Sequence, residues 1–143
     1  MRIIALLLLL IVALIGYIRL SPTNAEKWHT LPDAAEPVDN SEDGCRMDIR
    51  RISSLAEEFL TALEQRALAT PRTRLLRGSA AEGMITFQTR SLVMGFPDHT
   101  TVAVQGDLLV IHGRLRFGRS DLGVNRARIA GWLETLGPLT ERL

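Results

Sequence analysis

The chain has 143 residues, room for one modest domain and an extension. A composition of 46% hydrophobic and 23% charged residues excludes a disordered polyelectrolyte. The single cysteine, Cys45, excludes an intrachain disulfide and a cysteine-rich zinc site. The formal charge of +1 is uneven: between Asn24 and Cys45 six acids face Lys27 alone, whereas from Arg46 onward fourteen arginines face ten acids.

The chain starts with an uncharged, mostly apolar run from Ile3 to Ile18, flanked by Arg2 and Arg19. As a helix it spans roughly 24 Å, close to a hydrocarbon core of about 30 Å once Arg19 snorkels or Leu20 is included. Two readings fit: an uncleaved single-span anchor, and a cleaved signal segment with "TNA" (23–25) as a weak processing site. The length of the run and its Tyr-Ile-Arg ending favour the anchor. The acidic leader favours a domain outside the cytoplasm. Residues 21–47 hold three prolines and six acids with little apolar periodicity and read as a linker, in which Trp28 and His29 cap the domain or rest at the interface.

Apolar residues at 52, 55, 56, 59, 60, 63 and 67 predict one amphipathic helix over about 48–69, closed by Pro71. A first strand is expected over 72–79 and a turn over 80–83. Residues 84–91 alternate as a strand, with Ile85, Phe87 and Thr89 on one face and Thr86, Gln88 and Arg90 on the other. Gly95 and Pro97 make 92–98 a bulge or loop. Strands over 99–105 and 108–117 flank Gly106-Asp107, a hairpin signal. Leu109, Ile111, Gly113, Leu115 and Phe117 share one face of the last strand. From Ser120 a second helix carries Leu122, Ile129, Leu133 and Leu136 and ends at Gly137-Pro138. The order helix, four strands, helix predicts an α+β domain over 48–143: an antiparallel four-stranded sheet with both helices on one face.

No nucleophile elbow, Walker loop, zinc-protease or dinucleotide-binding motif is present. His29, His99 and His112 are too scattered for a metal site. Asp98 and His99 are adjacent, but neighbours in a strand point to opposite faces, so they form no dyad without a bulge. Gln88, Arg90, His112, Arg114 and Arg116 would cluster on the polar sheet face. If both helices cover the other face, this one is open to solvent, a lipid headgroup or an acidic partner. The stretch "RFGRSDLGVNRARI" (116–129) joins the last strand to the last helix. Ser120 or Asp121 can cap that helix. Gly123 suggests close backbone approach, and Asn125 falls on the inward stripe, where a polar group needs partners. Helix amides with Arg116, Arg119 and Arg126 near them could hold an anion, although Asp121 competes for the same place.

At these residues the chain resembles the domain of unknown function family numbered 1499. Its members carry an F-x-D-D-like segment before a strand and an S-R-x-G-x-S-D-x-G-x-N-x-x-R block opening a final helix. Phe96 and Asp98 match the first, with His99 where a second acid is common. Gly118, Ser120, Asp121, Gly123, Asn125 and Arg128 match the second, with Leu115-Arg116 in place of its leading Ser-Arg. The resemblance covers roughly residues 50–137. It implies the domain boundary and singles out polar residues, and His99 argues against a paired-carboxylate role.

Together these readings describe a membrane-tethered α+β module of the cell envelope, more a binding module than an enzyme. It would bind an anionic ligand, lipid headgroup or acidic protein through Arg90, Asp98, His112, Arg114, Arg116, Arg119, Ser120, Asp121, Asn125 and Arg128. The alternative is an enzyme with a polar site around Asp98, His99, Asp121 and Asn125. No cofactor, metal or nucleic-acid partner is expected.

Overall fold

A computed structural model describes residues 1–31, 46–52, 55–106, 108–137 and 140–142. Cys45, Asp107, Pro138 and most of the predicted linker lie outside the described residues. In chain order the elements are α1 (Arg2–Leu20), α2 (Ala25–Trp28), β1 (Arg46–Ile52), α3 (Ala56–Leu68), β2 (Thr73–Ser79), β3 (Met84–Arg90), β4 (Pro97–Gln105), β5 (Leu108–Leu115), α4 (Val124–Thr135) and β6 (Thr140–Arg142).

The four predicted strands form an antiparallel meander, β2-β3-β4-β5, and two further strands continue it in the order β2-β3-β4-β5-β1-β6. The class is α+β. The first added strand corrects the expected start of the helix at 48: residues 46–52 pair with β5 along its free edge, from Arg46 opposite Gly113 to Arg51 opposite Leu108. Met47 and Ile49 alternate with polar residues at strand period, a short signal overridden by the strong 3.6-residue pattern after Ile52. An edge of unpaired N–H and C=O groups favours a partner strand, and β1 supplies it. β6 then pairs with β1. Pro97 opens β4, where the lost N–H costs least, so Asp98 stands inside the ladder opposite Leu115 and Thr89.

One sheet face carries the core. Phe59, Leu60, Leu63 and Ala67 of α3 and Ile129, Trp132 and Leu133 of α4 pack on Ile85, Phe87, Val102, Leu109 and Ile111. Each fully buried large side chain contributes roughly 1.5–3 kcal/mol. Trp132, which the predicted stripe omits, meets Phe87 edge-on with ring centroids 5.8 Å apart, and its Nε1 donates to Thr70 Oγ1 at 2.9 Å. Leu122, predicted on the stripe, is instead 95% exposed with φ +54, because the helix starts two residues later. Gly113 lets α4 approach β5: a Cβ there would lie 3.0 Å from Ile129 Cδ1 and 3.5 Å from Asn125 Cβ.

Candidate functional site

The other sheet face is polar, and it is not open. Residues 21–31 cross it as a strap, so the expectation of a solvent-facing basic surface is corrected. Asn24 caps α2 by accepting from Lys27 N at 3.2 Å, a single turn that brings Trp28 and His29 down onto the sheet. Trp28 stacks on His99 with centroids 4.0 Å apart and planes 14° from parallel, and the Arg114 guanidinium lies 5.3 Å from the Trp28 ring centre. Arg114 also donates to the carbonyls of Trp28 and Thr30. Arg116, just past the end of β5, donates to Ser21 Oγ at 2.6 Å, Thr23 Oγ1 at 2.9 Å and Pro22 O at 2.9 Å. Two of the arginines expected to bind an anion, Arg114 and Arg116, are thus bound to the chain's own leader.

Hydrogen-bond directions beneath the strap follow from one carbonyl. Thr101 donates to Trp28 O at 2.8 Å, so Thr86 must donate to Thr101 at 3.0 Å, and His29 Nδ1–H must donate to Thr86 at 2.9 Å. Beside this chain, Gln88 Oε1 accepts from Arg74 Nε, which turns the amide nitrogen toward Thr23 Oγ1 at 2.9 Å and His99 Nε2 at 3.2 Å. His99 Nε2 is therefore an acceptor and its proton sits on Nδ1, a buried atom with no hydrogen-bond partner among the described residues. Burial, then Arg114 and further arginines, push His99 down to about 3; burial and Arg114 push His112 down to about 4. Both imidazoles are neutral at pH 7. Gly78, with φ +86, opens room for this docking: a Cβ there would sit 2.0 Å from Met84 O and 2.7 Å from His29 Cε1.

A second polar cluster lies at the opposite face, where the strand ends meet α4. Asp121 accepts from Gly123 N at 3.0 Å and Asn125 N at 2.7 Å, so its carboxylate fills the helix N-terminus by itself. Ser120 Oγ accepts from Leu122 N at 3.2 Å and is exposed, as is Arg119. Asn125 is 2% exposed; its Oδ1 accepts from Arg128, while its Nδ2 has no partner among the described residues. Arg128 pairs with Asp98 at 3.6 Å, each side chain only 9% exposed. Burial raises Asp98 to about 6, against the opposing pull of Arg128 and with a smaller push from Asp121. Burial likewise lowers Arg128. Desolvation therefore outweighs pairing at both partners.

Asp98 and Arg128 open into a cleft of about 510 Å³ walled also by Arg66, Arg72, Arg90 and Trp132. Arg90 Nη1 donates to Gly95 O at 2.9 Å and Arg72 Nε to Arg90 O at 3.1 Å, which fixes two guanidinium stems at the rim. Of the ten residues expected to form one site, the structure brings Arg90, Asp98 and Arg128 to the wall of this cleft, with Asn125 behind Arg128 and Asp121 at the start of α4. It sets His112, Arg114 and Arg116 on the strap side and Arg119 and Ser120 at the surface. His99, part of the alternative catalytic set, faces the strap and is separated from Asp98 by the sheet.

The family model described as protein of unknown function (DUF1499) matches residues 19–136. The chain belongs to that family. The match to DUF1499 begins at Arg19 and so takes in residues 21–31 as well as the sheet and helices. No curated protein matches the chain. Among solved structures it is similar to a DUF4468 family protein from Bacteroides ovatus, at 12% identity and a TM-score of 0.36 over 65% of this chain. The chain spans about 63% of that protein's length.

α1 is a 19-residue helix long and apolar enough to cross a membrane. Its end is joined to the domain: Ile18 is buried and Arg19 Nη2 donates to Val93 O at 3.2 Å. Arg19, Ser21, Thr23, Arg66 and Arg72 carry no periodic or motif signal. Their partners lie 18 to 95 residues away in sequence or are shared only through a cleft.

Proposed function

We propose that this DUF1499 chain is a membrane-tethered module of the cell envelope, its domain on the extracytoplasmic side, that binds a small anionic ligand or headgroup in the cleft between α3, α4 and the ends of β3 and β4. One observation carries this reading: among the described residues, four arginines, Arg66, Arg72, Arg90 and Arg128, line the cleft against one carboxylate, that of Asp98. Guanidinium forks match phosphate and carboxylate geometry. The strap supports retention of α1, because processing at 23–25 would remove Ser21, Pro22 and Thr23 from Arg116 and Thr23 from Gln88.

Calorimetric titration of the full chain in detergent with inorganic phosphate and glycerol phosphate tests the cleft. Arg66→Glu and Arg72→Glu are each expected to weaken binding about tenfold, or about 1.4 kcal/mol. Unchanged affinity in both would rule the cleft out as the site.

A second reading has one observation behind it: a buried carboxylate held near 6 at the wall of a cleft suits acid–base chemistry. It would rest on Asp98 with Asp121 and Asn125, and without His99. Asp98→Asn separates the two. A binding module keeps or gains affinity for phosphate when the carboxylate is removed, whereas an enzyme loses turnover of whatever substrate co-purifies with the native protein.

A further inference from the structure

The loop between β3 and β4 presents Leu92 and Val93 to solvent, 71% and 75% exposed. Neither belongs to the core, and an adjacent exposed pair of large apolar side chains has no structural use there. What distinguishes this loop is where it is fastened. Arg19, the first charged residue after the apolar run of α1, donates to Val93 O, and its side chain lies 3.0 Å from the Cβ position of Gly95, whose φ of +73 bends the loop back. The loop tip is therefore tied to the last turn of the apolar helix. Beside it is a recess of about 380 Å³ whose walls include Arg19, Arg72 and Arg90 and, among the described residues, no carboxylate.

We infer that the β3–β4 loop is a membrane-docking element: Leu92 and Val93 enter the interfacial layer of the bilayer that α1 crosses, while Arg19, Arg72 and Arg90 hold the phosphate of an anionic phospholipid. The inference rests on the reading of α1 as a spanning anchor. Two features agree independently. Apolar side chains exposed beside arginines are what an interfacial segment needs, since the hydrocarbon ends are buried while the guanidinium groups stay at headgroup level. Three like charges brought around one recess without a counter-ion among the described residues repel each other unless an anion joins them, and an anionic lipid headgroup is an anion available at that depth. Docking at two points, helix and loop, would fix the domain's orientation, with the Asp98–Arg128 cleft next to the headgroups because Arg72, Arg90 and Leu92 wall both recesses.

The test uses the full chain with Cys45→Ser, carrying an environment-sensitive fluorophore at Val93→Cys or, separately, at Leu10→Cys. It is reconstituted in nanodiscs of phosphatidylcholine with phosphatidylglycerol. The expected result is a blue-shifted Val93 probe quenched by headgroup-level spin-labelled lipid, a Leu10 probe quenched by deep-labelled lipid, and loss of the Val93 shift in Arg72→Glu. A Val93 probe that emits as in water while the Leu10 probe is quenched overturns the docking and leaves the anchor standing. Absence of quenching at Leu10 overturns the anchor and the docking with it. A shift that survives Arg72→Glu in a chain that still melts cooperatively overturns the role given to the arginines.

Discussion

A chain that begins at Glu26 is expected to melt about 10 °C or more below the full chain in the same detergent, a loss of about 3 kcal/mol. The deletion removes all three leader partners of Arg116 and the Thr23 hydroxyl from Gln88, a fully buried side chain. Neutral hydrogen bonds contribute about 0.5–1.5 kcal/mol each and those to charged groups somewhat more, while Arg116, only partly buried, recovers part of its loss in water. Losing the first residues also loosens α2, since Asn24 caps it, and with it the Trp28 stack on His99. Ser21→Ala with Thr23→Ala in the full chain isolates the hydrogen bonds from the loss of α1 and should give about half the effect. Equal melting of all three chains would show the strap to be a passive covering.

Much of the fold was legible because its signals are local. Strand alternation at 84–91 and 108–115, the hairpin glycine at 106 and the helical stripe of Phe59, Leu60, Leu63 and Ala67 each depend on neighbours within a few residues. Asn125 was correctly placed on an inward face by the spacing from Ile129. β1 was missed because seven residues next to a strong helix pattern carry too little period-two signal, and three-residue β6 carries less. The site was legible only in part for a different reason. Reading Arg114 and Arg116 as one face was right, but alternation says which residues share a face and not what covers it. The cover came from the segment 21–31, the start of the stretch 21–47 whose proline and acid content reads as linker. Its attachment is made by carbonyls, hydroxyls, the Trp28 indole and the His29 imidazole, groups that leave no periodicity. Arg66 and Arg72 reach the cleft from α3 and from the turn before β2, a convergence that exists only after the sheet has formed.

The second large effect is on acid stability. His99 and His112 are held at about 3 and about 4, below the ordinary 6.5, so between those values the unfolded chain binds protons the folded one refuses. Their contribution is complete above pH 6.5 and is lost as pH falls toward 4. Asp98 has the opposite sign: raised from 3.8 to about 6, it takes up a proton more readily when folded, so its contribution is present below 3.8 and lost as pH rises to 6. Between pH 4 and 6 each such group contributes a slope of about 1.4 kcal/mol per pH unit. Urea unfolding across that window should therefore show His99→Gln losing about 1.4 kcal/mol less per unit of acidification than the unsubstituted chain, and Asp98→Asn losing about as much more. His99 carries the larger mechanistic consequence, because a proton on Nε2 would confront the Gln88 amide that now donates to it, and the Trp28 stack rests on the same ring. Parallel pH profiles for the three chains would mean that these groups are not desolvated as their burial implies.

Intact-mass spectrometry of the protein extracted from its own membranes is the most direct measurement of whether strap and apolar helix are permanent parts of the molecule. A single species whose peptide map retains residues 2–31 is the predicted result. A mature species that starts near residue 26, lacking the segment that holds Arg116 and Gln88, would contradict it.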